Sequence, residues 1–149
     1  MKKIFFAIVA LFCMLGSATY AQEQKQSYVK HLTKAEFVEK VYDYTTGDKV
    51  FKYKGDKPAI VDFYADWCGP CRKLSPILEE VAKELKDDIY IYKINTDKEP
   101  DVARAFGIRA LPTLLFIPAE GEPQGYEGFL AKEQLYEAIN SLLLKKEDK

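Results

Sequence analysis

Apolar and polar residues alternate along this chain in patterns that predict five strands and four helices. The clearest strand runs from Ala59 to Ala65, where Asp62 interrupts a largely apolar run. Such a run is typical of a central strand that is covered on both faces. The other strands are predicted at Tyr28 to Leu32, Ile89 to Ile94, Thr113 to Ile117 and Gln124 to Tyr126.

The helices are predicted from apolar residues that recur every three or four positions. Thr33 and Glu36 match a capping box, so the first helix follows Thr33 and should end near Tyr44. The other three are predicted over Pro70 to about Lys86, Glu99 to Phe106 and Ala131 to Leu144. Pro76 lies inside the second helix and should kink it. The last helix lacks a good N-terminal cap, since Ala131 stands where Ser or Thr would serve.

Taken in order, the elements read βαβαβαββα, which predicts a single α/β domain with a central mixed β-sheet flanked by helices. The chain has 149 residues, which is the size of one domain. Hydrophobic residues make up 48% and charged residues 30%, a composition that can bury a core. The net charge of −1 gives no basic excess, so no nucleic-acid partner is expected.

The first part of the chain has the pattern of a cleavable signal peptide. Met1 to Lys3 is a basic segment, Ile4 to Leu15 is apolar, and Gly16 to Ala21 consists mostly of the small residues that precede a cleavage site. The apolar run is shorter than the ~20 residues that a transmembrane helix needs. We expect cleavage after Ala21, which would make residues 1–21 the signal peptide and residues 22–149 the mature domain in the periplasm. An uncleaved membrane anchor is the alternative.

Removal of that segment would leave Cys68 and Cys71 as the remaining cysteines. A zinc site needs four ligands, and the one histidine, His31, is far away in sequence, so no metal is expected. A purely structural disulfide is also disfavoured, because closing so short a loop removes little entropy from the unfolded chain. Cys68 is predicted at a helix N-terminus, where free N–H groups and the helix dipole favour a thiolate. A redox-active disulfide between Cys68 and Cys71 is therefore the strongest interpretation.

The segment from Trp67 to Cys71, Trp-Cys-Gly-Pro-Cys, resembles the active-site motif of the thioredoxin family. Further segments resemble thioredoxins in the same order, namely Val61 to Asp66, Pro76, Gly107 to Thr113, Gly121 and Gly128. The resemblance extends from about Ser27 to Leu144 and is clear after Lys57. It implies the thioredoxin fold and a thiol-disulfide oxidoreductase that uses no cofactor, with exported bacterial thioredoxins as the closest relatives.

The resemblance also implies catalytic roles for four residues. Cys68 would be the exposed nucleophile that forms a mixed disulfide with a substrate, and Cys71 the buried thiol that resolves it. Asp62 would be the buried carboxylate that accepts the proton of Cys71, with a pKa raised by burial. Lys93 matches the lysine that accompanies this carboxylate. Solvated side chains remain the alternatives for Asp62 and Lys93.

A shallow apolar surface for substrate docking is implied around the cysteines. The loop at Leu111 and Pro112 resembles the thioredoxin loop with a cis-proline, which exposes backbone for pairing with an extended substrate segment. The substrate-binding residues would be Trp67, Gly69, Pro70, Ala110, Leu111, Pro112 and Gly128. An ordinary trans turn is the alternative for the proline, and His31 is expected to be a bystander.

The dipeptide Gly69-Pro70 implies a stable disulfide and hence a reducing protein. We therefore expect a monomeric protein-disulfide reductase that acts on exported proteins with disulfides. A reducing pair in an oxidising compartment needs an electron supply, so a membrane or exported thiol-electron donor is expected as a partner. The alternatives are an oxidant or isomerase of secreted proteins, and a binding module in which the thiols are secondary.

Three features depart from the thioredoxin pattern. Tyr64 replaces the tryptophan common in bacterial thioredoxins, a change expected to alter packing more than chemistry. Glu127 precedes Gly128 where the family is often apolar, and its charge could repel acidic partners. The stretch from Tyr44 to Lys57 is longer than expected, which predicts an added hairpin at the edge of the sheet.

Overall fold

The structure, a computed structural model, describes residues 26–48 and 50–144. The predicted signal peptide, its cleavage site after Ala21 and the C-terminal end lie outside the described residues. No helix within these two ranges is both long and apolar enough to cross a membrane.

Within the described residues, five strands and four helices follow one another in the predicted order βαβαβαββα. The strands are β1 (Val29–His31), β2 (Ala59–Tyr64), β3 (Tyr90–Asn95), β4 (Thr113–Ile117) and β5 (Gln124–Glu127). The helices are α1 (Lys34–Lys40), α2 (Gly69–Glu84), α3 (Pro100–Ala105) and α4 (Lys132–Leu142). The prediction of element types and their order is therefore confirmed.

The strands form one mixed sheet in the order β1-β3-β2-β4-β5. The strands β1, β3 and β2 run parallel, while β4 is antiparallel to β2 and β5 is antiparallel to β4. The central strand is β2, and residues Ala59 to Phe63 of this strand are buried. This burial matches the largely apolar sequence of the strand, and it leaves Asp62 inside the protein.

The first helix has the predicted cap but ends earlier than predicted. The hydroxyl of Thr33 accepts the N–H of Glu36 at 3.3 Å, and the Glu36 carboxylate accepts the N–H of Thr33 at 2.9 Å. The helix ends at Lys40 rather than near Tyr44. Asp43 explains the difference, because its carboxylate caps a separate 3₁₀ turn over residues 44–46 by accepting the N–H of Thr45 at 3.0 Å.

The predicted hairpin between Tyr44 and Lys57 is wrong, since the described residues of this stretch form no strand. They form an irregular loop held by local contacts. The N–H of Lys54 donates to the carbonyl of Val41 at 3.0 Å, and the hydroxyl of Tyr53 donates to the carbonyl of Lys57 at 2.7 Å. The aromatic residues of this loop, including Phe51, are partly buried against the core. The loop therefore packs against the rest of the domain.

The sheet separates two cores, which we name the aliphatic face and the aromatic face. The aliphatic face packs against α2 and α4 and includes Ile60, Ile91, Leu114, Leu74, Leu78, Leu135 and Ile139. The aromatic face packs against α1 and α3 and includes Phe37, Val41, Val61, Phe63, Tyr92, Val102 and Phe106. Because side chains alternate along a strand, Asp62 lies on the same face as Ile60.

Candidate active site

The two cysteines lie where β2 ends and α2 begins. Cys68 is the N-cap residue of α2 and forms a disulfide with Cys71, with an S–S distance of 2.05 Å. Pro70 lies in the first turn, where its missing N–H costs nothing. The N–H of Cys71 donates to Cys68 Sγ at 3.2 Å. A backbone donor therefore points at the sulfur atom that would carry negative charge in the reduced protein.

Cys68 is less exposed than expected in this oxidised form. Its exposed fraction is 4% and that of Cys71 is 2%, so the expectation of an exposed Cys68 does not hold here. Both cysteines pack with Ala65, and Tyr64 and Leu111 cover them in part.

Asp62 and Lys93 form a buried ion pair on the aliphatic face. They are register partners on β2 and β3, their side chains are 0% and 5% exposed, and Lys93 Nζ lies 3.3 Å from Asp62 Oδ2. Within the described residues, neither carboxylate oxygen accepts an aligned hydrogen bond. Burial raises the pKa of Asp62 to about 6, and the Lys93 charge opposes this rise. The structure therefore places both side chains inside the protein and not in solvent.

Ser75 connects this ion pair with the second cysteine. It lies four residues after Cys71, so both side chains are on the same side of α2. Lys93 Nζ donates to Ser75 Oγ at 2.7 Å. The ion pair thus lies beneath the helix surface that carries Cys71. The sequence analysis did not single out Ser75, although its spacing from Cys71 could have indicated it.

The predicted docking residues lie on both sides of the disulfide. Trp67 is 69% exposed, and its indole N–H donates to Asp97 Oδ2 at 2.9 Å. The Leu111-Pro112 peptide bond is cis, as expected. The N–H of Gly128 donates to the carbonyl of Pro112 at 2.8 Å, which joins two of the predicted segments. Gly69 is half-buried, Pro70 and Ala110 are exposed, and Leu111 contacts the cysteines.

An open cavity of about 270 Å³ extends from Trp67 along the surface. It is lined by Trp67, Thr96, Ala103, Ile108, Arg109, Ala110 and Leu111. Three of these residues belong to the predicted docking surface. The sequence analysis did not assign the other four, Thr96, Ala103, Ile108 and Arg109, to this surface. Nothing in the linear pattern shows that Thr96 and Ala103 lie next to Trp67.

Comparisons with known proteins agree on one family. The family model for thioredoxin matches residues 28–141. The chain is 51% identical over 108 residues to thioredoxin of Borreliella burgdorferi, covering 72% of this chain and 91% of that protein. It is 35% identical over 135 residues to the chloroplastic M-type thioredoxin of Spinacia oleracea, covering 89% of this chain and 75% of that protein.

A solved structure has the same fold. The crystal structure of chloroplastic thioredoxin z superimposes with a TM-score of 0.63 at 31% sequence identity, covering 76% of this chain and 93% of that chain. The fold that carries this sheet order and the cysteines at the start of α2 is thus one already known from a solved structure. The expected fold, a mixed central sheet flanked by helices in a single domain, is confirmed.

Proposed function

Because this chain belongs to the thioredoxin family and is a thiol-disulfide oxidoreductase, we propose that it reduces disulfide bonds of exported proteins. The observation that carries the proposal is the Cys68–Cys71 pair at the start of α2, placed above a buried carboxylate. A purely structural disulfide does not need an ionisable group beside it. A thiol that must lose a proton during the reaction does.

The reaction starts from the reduced pair. The Cys68 thiolate attacks one sulfur of a substrate disulfide, the substrate S–S bond breaks, and the second substrate sulfur leaves as a thiolate that takes a proton. Cys68 and the first substrate sulfur are then joined in a mixed disulfide. The N–H of Cys71, which donates to Cys68 Sγ in the oxidised protein, is placed to stabilise the attacking thiolate.

Resolution requires Cys71 to lose its proton. Asp62, whose pKa burial raises to about 6, can accept that proton near neutral pH, directly or through water. The Cys71 thiolate attacks Cys68 Sγ, the mixed disulfide breaks, and the first substrate sulfur leaves as a thiolate. This thiolate takes a proton from Asp62 or from solvent, so the substrate leaves with two thiols. Two electrons have moved from the protein to the substrate, and the Cys68–Cys71 disulfide seen in the structure is the product.

The docking surface would allow a substrate segment to approach Cys68. Exposed Trp67 and Ala110 border the open cavity, and Leu111 links it to the disulfide. An extended substrate segment lying along this surface would bring its disulfide to Cys68. Glu127, exposed at the end of β5, gives this side a negative charge that disfavours acidic segments.

Export is proposed from the sequence at the N-terminus. Residues 1–21 have the charge and hydropathy pattern of a signal peptide, and the mature chain would act in the periplasm. Because that compartment is oxidising, the disulfide would have to be reduced again by a membrane or exported thiol donor. Mass spectrometry of the protein from a periplasmic fraction tests this: a mature N-terminus at Gln22 is expected, and an intact Met1 would contradict it.

The direction of the reaction is tested by the reduction potential of the Cys68–Cys71 pair, measured in the mature protein against glutathione. A value of roughly −270 mV, which is typical of thioredoxins, is expected for a reductant. A value between about −180 and −120 mV would instead make the protein an isomerase or oxidant of secreted proteins.

A trapping experiment separates catalysis from a binding role. The Cys71→Ser variant should accumulate mixed disulfides through Cys68, because no second thiol can resolve them. The matched control is Cys68→Ser, which should trap nothing. Partners that bind equally well to a variant lacking both cysteines would show that binding, rather than thiol chemistry, is the main function.

A further inference from the structure

A row of polar side chains crosses the sheet beside the disulfide. His31, Lys93 and Asp62 are register partners on β1, β3 and β2, so the three side chains lie on the same face. Tyr64 lies two residues after Asp62 and therefore also belongs to this face. The four residues come from three strands, which makes their proximity a property of the fold.

Lys93 is held by three neighbours. Its ammonium group lies 3.3 Å from Asp62 Oδ2, donates to Ser75 Oγ at 2.7 Å, and lies 4.3 Å from the centre of the Tyr64 ring. The ring face attracts a cation, and this attraction is stronger away from bulk water. A lysine on a flexible stem otherwise tends to extend its strongly hydrated ammonium to solvent.

Two open cavities border the Tyr64 ring and Lys93. One open cavity of about 290 Å³ reaches Cys71 and Ser75, and another of about 150 Å³ lies on the side of Asn95. His31, Tyr64 and Lys93 line both. His31 fixes the ring in two ways: its Nδ1 lies 3.1 Å from the Tyr64 hydroxyl, and the two rings meet edge to face at 5.7 Å.

We propose that Tyr64, supported by His31, is a positioning residue that holds the Lys93 ammonium against the Asp62 carboxylate. Tyr64 then governs the charge of Asp62 through Lys93, without contacting the reacting sulfur atoms itself. This assigns a role to His31, which the sequence analysis treated as a bystander, and gives the aromatic residue at position 64 a purpose beyond packing. The consequence for resolution rests on the proposed function, whereas the effect on Asp62 does not.

Several charged groups face this row. Lys93 lowers the pKa of Asp62 against the larger effect of burial, and its loss or displacement would let that pKa rise. Burial and Lys93 lower the pKa of His31, with Lys98 acting in the same direction and Glu79 and Asp66 opposing. His31 is therefore mainly neutral at neutral pH and adds little repulsion to Lys93 there.

The test is the pKa of Asp62 in the oxidised protein, followed by the carboxyl ¹³C chemical shift during a pH titration. Tyr64→Leu removes the ring face but keeps an apolar side chain, so the Asp62 pKa should rise above about 6. Tyr64→Trp keeps a ring face and should leave the pKa close to that of the native protein. His31→Ala should produce a smaller rise than Tyr64→Leu.

The same titration in a Lys93→Met background shows whether Tyr64 changes the Asp62 pKa through Lys93. Removing the ammonium should itself raise the Asp62 pKa, and adding Tyr64→Leu should then change nothing further. An equal change in both backgrounds would show that Tyr64 only controls the access of water to Asp62. That result would overturn the proposal, as would an unchanged Asp62 pKa in a folded Tyr64→Leu protein.

Two controls keep the result interpretable. Tyr90→Leu removes a ring at the other end of the sheet, where Lys30 and Lys57 lie 5.5 Å from its centre, and should leave Asp62 unaffected. Tyr64→Met replaces Tyr64→Leu if the latter does not fold. Because the readout is taken on the resting disulfide form, failure of the proposed reductase activity would not alter it.

Discussion

The aromatic and aliphatic faces are formed by alternate residues of the same strands, but they differ in what they bury. On the aromatic face, Phe37 and Phe63 are fully buried, and both contact Phe106 with ring centres 5.3 and 5.9 Å apart. Within the described residues, the buried charged side chains, Asp62 and Lys93, are both on the aliphatic face. One face thus stabilises the domain, while the other also accommodates a costly pair of charges.

A second contrast lies within the aliphatic face. Ile60 and Ile91 are register partners and so are Asp62 and Lys93, two residues further along the same strands. The apolar pair packs in the core, and the charged pair lies towards the strand ends, where α2 begins. The carboxyl ends of parallel strands are a common location for functional sites. The pair that packs in the core and the pair that carries charge are therefore only two residues apart along the same two strands.

The largest stability change is expected on the aromatic face. Phe37→Ala should lower the free energy of unfolding by about 3–5 kcal/mol, since a fully buried ring is lost and a cavity remains. The reduction potential of the cysteine pair should stay the same. Denaturant unfolding and glutathione equilibration measure the two quantities, with Ile60→Val as a milder control at about 0.5–1.5 kcal/mol. A shifted potential in Phe37→Ala would contradict the separation of the two faces.

An intermediate, pH-dependent effect is expected from Asp62. Its pKa of about 6 in the folded protein exceeds the ordinary value of 3.8, so the folded state retains a proton that the unfolded state releases. The contribution of Asp62 to the free energy of unfolding should therefore fall as the pH rises from about 4 to about 6, by roughly 3 kcal/mol in total, and then stay level. The Asp62→Asn variant lacks this titration. Unfolding of both oxidised proteins across this pH range measures the difference.

Asp101 provides the matched control for that experiment. Contacts with Lys34 lower the pKa of Asp101, so its ionised form favours folding, and this contribution is lost as the pH falls. The difference between the native protein and Asp101→Asn should consequently have the opposite slope. If native protein and Asp62→Asn showed parallel pH profiles, Asp62 would be ionised as easily inside the protein as in water.

Sequence patterns predicted most of the fold, because apolar periodicity and the Thr33 cap act locally. The early end of α1 was missed, since it depends on the Asp43 carboxylate accepting the N–H of Thr45 two residues further on. The sequence singled out Cys68 and Cys71 by their spacing and their predicted place at a helix N-terminus, and Asp62 through the family resemblance. It did not indicate Ser75 or the role that we propose for Tyr64, because both depend on which strands become neighbours and on the side of α2 that faces them.

The smallest effects are expected from the helix caps on the two faces. Thr33→Ala removes the hydroxyl that accepts the Glu36 N–H at the start of α1 and should cost about 1 kcal/mol. Ala131, at the start of α4, already has an extended backbone, and its N–H donates to Gln134 Oε1 at 3.0 Å. Ala131→Ser would add the missing acceptor and should stabilise the protein by about 0.5–1 kcal/mol.

Thermal unfolding of both cap variants, with Thr33→Ser as a control that keeps the hydroxyl, measures these changes. Neither variant should alter the reduction potential, although α1 packs on the aromatic face and α4 on the aliphatic face. The caps lie at helix ends and satisfy backbone groups locally, so their effect does not reach the ion pair. A reduction potential that changed with Ala131→Ser alone would show that α4 is coupled to the charged pair. The apolar core of the aliphatic face and the Asp62–Lys93 pair would then not be independent.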